Sequence, residues 1–210
     1  MKTKTGIYQN YIKRVIDITI SFILLIVLSP LFIVIIFLVK FTSKGPVFFL
    51  QERIGRDGKY FLIFKFRTMC VGAEKMGSGL TVKSDSDSRI TRIGNVLRKT
   101  SLDEIPQLLN ILKGDMSLIG PRPPVTYFPY DGHDNYPDWA KKRFSVRPGV
   151  TGLAQCTVRN SVPWDRRIEI DLTYINSISF LNDVKIFFLT FFRVIKTSNV
   201  YDEGKIERNE

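Results

Sequence analysis

The sequence predicts a mixed α/β domain entered through a membrane-embedded helix pair. Three observations predict it: one long uncharged apolar run near the N-terminus, short alternating strand and helix patterns after it, and a strongly basic balance. At 210 residues the chain can hold one core plus an appendage. The expected boundaries are a membrane segment over 1–44, a compact α/β domain with amphipathic interfacial helices over 45–199, and a flexible tail of low apolar content over 200–210.

The 31 Lys+Arg against 20 Asp+Glu give +11, which points to polyanions: phosphorylated small molecules, an anionic membrane face or nucleic acid. Cys70 and Cys156 follow no metal-ligand spacing, and the lone His133 cannot build a zinc site. These counts argue against a zinc enzyme, a disulfide scaffold and a Ser/His triad. Two cysteines in so basic a chain fit a reducing compartment.

Ile18 to Val39 carries no charge. As a straight helix it would be about 33 Å long, enough to cross a bilayer. Pro30 splits it into arms of about 18 Å and 14 Å, each roughly half the hydrocarbon thickness. Lys13 and Arg14 precede the run, and Lys40 and Lys44 follow its core. Basic flanks on both sides favour a re-entrant hairpin that turns at Ser29-Pro30, with a kinked spanning helix as the alternative.

Val47–Gly55 and Tyr60–Arg67 read as a β-hairpin around Asp57-Gly58. Lys65 and Arg67, two apart on a strand, share a face that suits a diphosphate or is simply solvated. Residues 73–89 are rich in Gly, Ser and Asp and read as a surface loop or lid. A helix near Ile90–Arg98 presents Arg98 just before Asp103 and Glu104. Pro106 is tolerated only in a first helical turn, so the next helix should begin close to Leu102–Glu104, putting both carboxylates at its positive end. Ser101-x-x-Glu104 also fits a capping box, in which Glu104 only satisfies backbone donors.

A short strand over Met116–Ile119 should lead into Gly120-Pro-Arg122-Pro-Pro, where flanking prolines stiffen the presentation of Arg122. Arg147–Gln155 reads as a turn-rich loop, followed by Arg159-Asn160. Trp164–Ile175 reads as a helix carrying Asp165 and Asp171. Phe180–Ile195, with Phe187, Phe188, Phe191 and Phe192, reads as an interfacial amphipathic helix or a buried terminal one.

Together these segments resemble the bacterial sugar transferases, the monotopic polyprenol-phosphate phosphoglycosyltransferases, in what looks like their minimal form. The resemblance runs from about Lys13 to Lys196. It rests on Lys13-Arg14-x-x-Asp17, Ser29-Pro30, Gly45-Pro-Val-Phe-Phe-x-Gln51-x-Arg53-x-Gly55, Lys65-Phe-Arg-Thr-Met69, Asp87-x-Arg89-Ile-Thr91, Arg98-x-Thr-Ser-Leu-Asp-Glu-x-Pro-Gln107, Gly114-Asp-Met-Ser-Leu-x-Gly-Pro-Arg-Pro123 and Pro148-Gly-x-Thr-Gly-x-Ala-Gln155. Such blocks in fixed order are far more specific than any one motif.

The resemblance implies transfer of sugar 1-phosphate from a UDP-sugar to polyprenol (undecaprenyl) phosphate, releasing UMP. It implies Asp103 as the nucleophile of a phosphosugar-aspartyl intermediate and Glu104 as its partner at Mg2+, so that both are candidate metal ligands. The helix break at Ser29 and Pro30 would return the chain to the cytoplasmic face of a bacterial inner membrane. The implied partners are UDP-sugar, polyprenol phosphate and membrane lipids, with no nucleic acid and with a homodimer left open. The product would start the assembly of a capsule, O-antigen, exopolysaccharide or glycoprotein glycan.

A carboxylate attacking a diphosphate needs its repulsion neutralised; Lys65, Arg67, Arg98, Arg122 and Arg159 are the candidates. Asp171 matches a functional aspartate of the family and joins them as a substrate-binding candidate. Two other classes compete. An ordinary glycosyltransferase on a lipid acceptor would release UDP, with Asp85-Ser-Asp87 as a weak metal motif. A membrane-tethered polyanion-binding module would bind in a salt-sensitive way without needing Asp103.

Overall fold

The computed structural model describes residues 6–76, 87–158 and 161–195. Arg159, Asp85 and the 200–210 tail lie outside the described residues. A π-helical turn, Tyr8–Ile12, runs into α1 (Lys13–Val27), and α2 (Ser29–Thr42) leaves it at a bend of 64°. Pro30, in the first turn of α2, has no N–H for the Ile26 carbonyl, and Ser29 Oγ donates to that carbonyl instead at 2.8 Å. The break therefore sits where the sequence places it, and it leaves this carbonyl satisfied. No single described helix is long and apolar enough to cross a membrane, but the bent pair together is. Its outer side exposes Phe22, Ile26, Val34, Phe37 and Phe41.

The inner side of the pair is part of the domain core. Leu24 and Leu25 pack on Ile63, Leu108, Ile111 and Met116, while Ile35 and Val39 join Phe66 and Leu97. Polar contacts fasten the same surfaces. Arg14 donates to the carbonyls of Ile111 (2.7 Å) and Leu112 (3.3 Å), and Asp17 Oδ1 accepts from the Leu118 amide at 3.0 Å.

β1 (Phe48–Ile54) and β2 (Tyr60–Phe66) form the expected hairpin, paired from Phe48↔Phe66 to Ile54↔Tyr60. Asp57 (φ 56°) and Gly58 (φ 75°) supply the left-handed turn residues. α3 (Arg92–Lys99) is capped by Thr91, whose Oγ1 accepts from the Gly94 amide at 3.0 Å. α4 (Gln107–Lys113) stops at Gly114 (φ 98°), and β3 (Ser117–Ile119) follows.

After α5 (Asp138–Lys141) the structure departs from the sequence reading. The expected loop over Arg147–Gln155 contains β4 (Gly149–Thr151), parallel to β3, and α6 (Leu153–Thr157). A three-residue strand has no alternation to read; β4 exists because β3 lies beside it. Gly149 permits the approach, since a Cβ there would lie 2.1 Å from the Gly120 nitrogen.

α7 (Trp164–Asn176) and α8 (Phe180–Ile195) complete the order. α8 buries Asp183 and Ile186 but exposes Leu181, Phe187, Phe188, Phe191 and Phe192, so it is amphipathic and not a buried terminal helix.

Asp183 ties the N-terminal helices to the last helices of the domain. Its Oδ2 accepts from Lys13 Nζ (2.5 Å) and the Tyr8 hydroxyl (2.7 Å), and its Oδ1 accepts from the Tyr174 hydroxyl (2.7 Å). Removing a buried, fully paired charge strands its partners. Asp183→Ala should therefore cost about 3 kcal/mol in denaturant unfolding of the detergent-solubilised protein. The exposed Asp134→Ala should leave the transition unmoved.

Candidate active site

The chain leaves α3 through Ser101, whose φ of 57° is left-handed, and enters a 3-10 turn over Leu102–Glu104. A non-glycine residue in that conformation is costly and turns the chain sharply. The Ser101 side chain makes no capping bond, so the capping box is not formed. Asp103 and Glu104 thus occupy a turn of their own, and α4 starts only at Gln107, with Pro106 at the junction. The sequence expected both carboxylates in the first turn of α4; instead Lys65 and Arg122 hold Glu104 from outside that helix.

Glu104 Oε1 lies 2.5 Å from Lys65 Nζ and 3.9 Å from Arg122 Nη1. Lys65 comes from β2 and Arg122 from the proline-rich loop after β3, so three elements meet on one carboxylate. Asn110, fully buried, fixes the approach of β2 to α4. Its Oδ1 accepts from the Phe64 amide at 2.9 Å, and its Nδ2 donates to the Leu62 carbonyl at 2.7 Å. The amide of Asn110 therefore acts as a strand neighbour for β2 and sets the Lys65–Glu104 distance.

The two carboxylates are electrostatically unequal. Burial pushes the Asp103 carboxyl up to about 6; Lys65 offsets part of the rise, and the Glu104 charge adds to it. Burial acts the same way on Glu104, but Lys65 and then Arg122 outweigh it and hold that carboxyl down at about 2. Glu104 is thus a fixed anion engaged by cations. Asp103 is the more basic oxygen, and a more basic carboxylate is the better nucleophile once ionised.

A small cleft walled by Arg53, Lys65, Gln107, Arg122 and Val150 adjoins the pair through Lys65 and Arg122, the two cations that meet Glu104. Arg98, at the end of α3, adds positive charge near Asp103. Two expected substrate residues lie elsewhere. Arg67 is engaged away from Lys65, although its amide still continues the hairpin ladder by donating to the Val47 carbonyl at 2.9 Å. Its buried guanidinium donates to Ser43 O (2.8 Å) and Ser43 Oγ (2.7 Å), closing the end of α2. Asp171 is buried against Arg143 at 2.7 Å and does not face the cleft. Arg53, Asn110 and Gln107 were missed as site residues. The alternation Gln51-x-Arg53, paired across the hairpin with the Lys65 face, could have found Arg53.

A model of the family described as bacterial sugar transferase matches residues 8–197. The chain belongs to the bacterial sugar transferases. It is 44% identical over 190 residues to the galactosyl transferase CpsE of Streptococcus agalactiae, covering 85% of this chain and 41% of that protein. It is 39% identical over 196 residues to the uncharacterized sugar transferase EpsL of Bacillus subtilis, covering 93% of each. It is 40% identical over 197 residues to the UDP-glucose:undecaprenyl-phosphate glucose-1-phosphate transferase of Klebsiella pneumoniae, covering 90% of this chain and 41% of that protein. The chain therefore spans about two fifths of the length of two of these relatives.

Among the described residues no three His, Cys, Asp or Glu side chains gather into a metal cage. Mg2+ needs no such cage: it is commonly held by one or two carboxylates together with substrate phosphates and water. The adjacent Asp103 and Glu104 beside an open, cationic cleft fit that donor set.

The unequal pair predicts opposite stability changes. Asp103 binds its proton more tightly folded than unfolded, so stability falls as pH rises from about 3.8 to about 6. In metal-free buffer at pH 7, Asp103→Asn should raise stability by about 1–2 kcal/mol, fading toward pH 4. Glu104 contributes stability above its ordinary 4.5 that is lost as pH falls toward 2. Glu104→Gln should lower stability by about 1–3 kcal/mol at pH 7, because Lys65 is left without its partner. Melting curves across pH check both signs.

Proposed function

We propose that this bacterial sugar transferase moves a sugar 1-phosphate from a UDP-sugar to polyprenol phosphate and releases UMP. The carrying observation is the unequal carboxylate pair: one acid engaged by Lys65 and Arg122, its neighbour left more basic, both beside a cationic cleft. The name of the Klebsiella relative, a UDP-glucose:undecaprenyl-phosphate glucose-1-phosphate transferase, supports the same donor and acceptor class.

In the first step an Asp103 oxygen attacks the phosphorus that bears the sugar. The bond from that phosphorus to the bridging oxygen breaks, and UMP leaves with the electron pair. In the second step an oxygen of polyprenol phosphate attacks the same phosphorus, giving polyprenyl-diphosphate sugar and freeing Asp103. A phosphate monoester with a second pKa near 6 is largely dianionic at neutral pH, so the acceptor needs little deprotonation. Lys65 and Arg122 neutralise the charge that builds on the diphosphate, and Arg98 supports the ionised form of Asp103. Mg2+ held by the dyad carboxylates would add charge neutralisation and orientation of the phosphates.

Both ends of the bent helix pair bind the same domain, which supports re-entry over crossing. Lys13, Arg14 and Asp17 bond to it at the start of α1, and Arg67 bonds to Ser43 at the end of α2. A spanning helix would carry its two ends to opposite faces. On this reading the hairpin dips into the cytoplasmic leaflet of a bacterial inner membrane, the exposed phenylalanines of α8 rest in the headgroup region, and the cleft meets lipid and nucleotide on one side.

The test is a panel of UDP-sugars with a short polyprenol phosphate and Mg2+, scoring the nucleotide released. UMP is expected, with Asp103→Asn at least about 1,000-fold slower. Release of UDP would make the chain an ordinary glycosyltransferase.

A further inference from the structure

The loop that carries Arg122 is held by its carbonyls. Proline at 121, 123 and 124 offers no N–H, so this stretch can be fixed almost only as an acceptor. The Pro121 carbonyl accepts from the Gly149 amide at 2.9 Å, and the Pro124 carbonyl from the Ile54 amide at 3.1 Å. Between them, guanidinium groups from two other elements take over. Arg143 Nη2 donates to the Arg122 carbonyl at 3.0 Å, and Arg53 Nη1 to the Pro123 carbonyl at 2.9 Å.

Arg143 is a costly way to make that bond. Its side chain is 1% exposed, it pairs with Asp171 at 2.7 Å, and its ring contacts are Phe144 and Trp164 at 5.6 and 5.8 Å. Its Nε and Nη1 are buried without a hydrogen-bond partner. A buried ion pair is weak evidence for stability, because desolvation offsets much of its attraction. Behind the loop, on the side of Arg143, Pro148 and Phe144, lies only a small gap of about 10 Å3, room for about one water. Without the two guanidinium bonds the loop loses two of the four carbonyl contacts named above that hold Arg122 beside Glu104.

We propose that Arg143, oriented by Asp171, is a positioning residue that fixes Arg122 for the nucleotide diphosphate, with Arg53 as a parallel clamp. The inference rests on the phosphosugar-transfer reading, and it recasts Asp171 as acting through Arg143 and Arg122 without touching substrate. Loss of Arg143 should weaken the donor diphosphate contact, and only while Arg122 is present to be misplaced.

The experiment is a double-mutant cycle on the full chain in detergent, reading UDP affinity by calorimetry with Mg2+ present and melting temperature alongside. Arg122→Ala is expected to weaken UDP binding about 10-fold, and Arg143→Gln about 5- to 10-fold. Added to Arg122→Ala, Arg143→Gln should weaken it less than twofold further. Asp171→Asn provides a milder second cycle with the same expectation, and it decides the matter where Arg143→Gln does not fold. Multiplicative losses in the double variant, or unchanged affinity in Arg143→Gln and Asp171→Asn, would overturn the clamp. Transfer with UMP release by the wild type tests the function separately. A chain that binds UDP with the predicted coupling but transfers nothing would sink that reading and leave the clamp standing.

Discussion

The contact between Lys65 and Glu104 is the constraint on which the site depends. It joins a strand to a turn that are 39 residues apart, and it makes two adjacent acids behave differently. Left to burial alone, both carboxylates would be pushed toward the neutral form. With Lys65 and Arg122 on one of them, that acid stays ionised and the other keeps the higher proton affinity. Asn110 maintains the contact by bonding the outer edge of β2, and the Ser101 turn delivers the acids to it.

The bent apolar helix pair extends the same core. Ile35 and Val39 pack with Phe66 and Leu97, so the helix pair, the hairpin that carries Lys65 and the helix that carries Arg98 share one apolar cluster. Leu102 and Ile105, on either side of the carboxylates, pack against that cluster. Movement of the helix pair is therefore mechanically close to the two carboxylates.

Much of this was legible in the sequence where the signal is local. The Ser29-Pro30 break, the Asp57-Gly58 hairpin and the α3 helix each follow from turn chemistry or periodicity within a few residues. Features that depend on a distant neighbour were not legible. β4 exists only beside β3, and Arg143 shows its role only where Phe144, Trp164 and Asp171 converge. Arg67 misled because spacing along a strand does not fix where a long side chain ends, and its guanidinium is taken up by Ser43 at the end of α2. The capping-box pattern misled in the same way: Ser101 is drawn into a left-handed turn, and Glu104 finds a lysine from another element.

The most direct measurement is intact-protein and peptide mass spectrometry of enzyme incubated with UDP-sugar alone and quenched before any lipid acceptor is added. The account predicts one phosphosugar adduct on the Asp103 side chain, with Glu104 unmodified and UMP released in equal amount. An adduct on Glu104, or no adduct under conditions where adding acceptor gives full turnover, would contradict it.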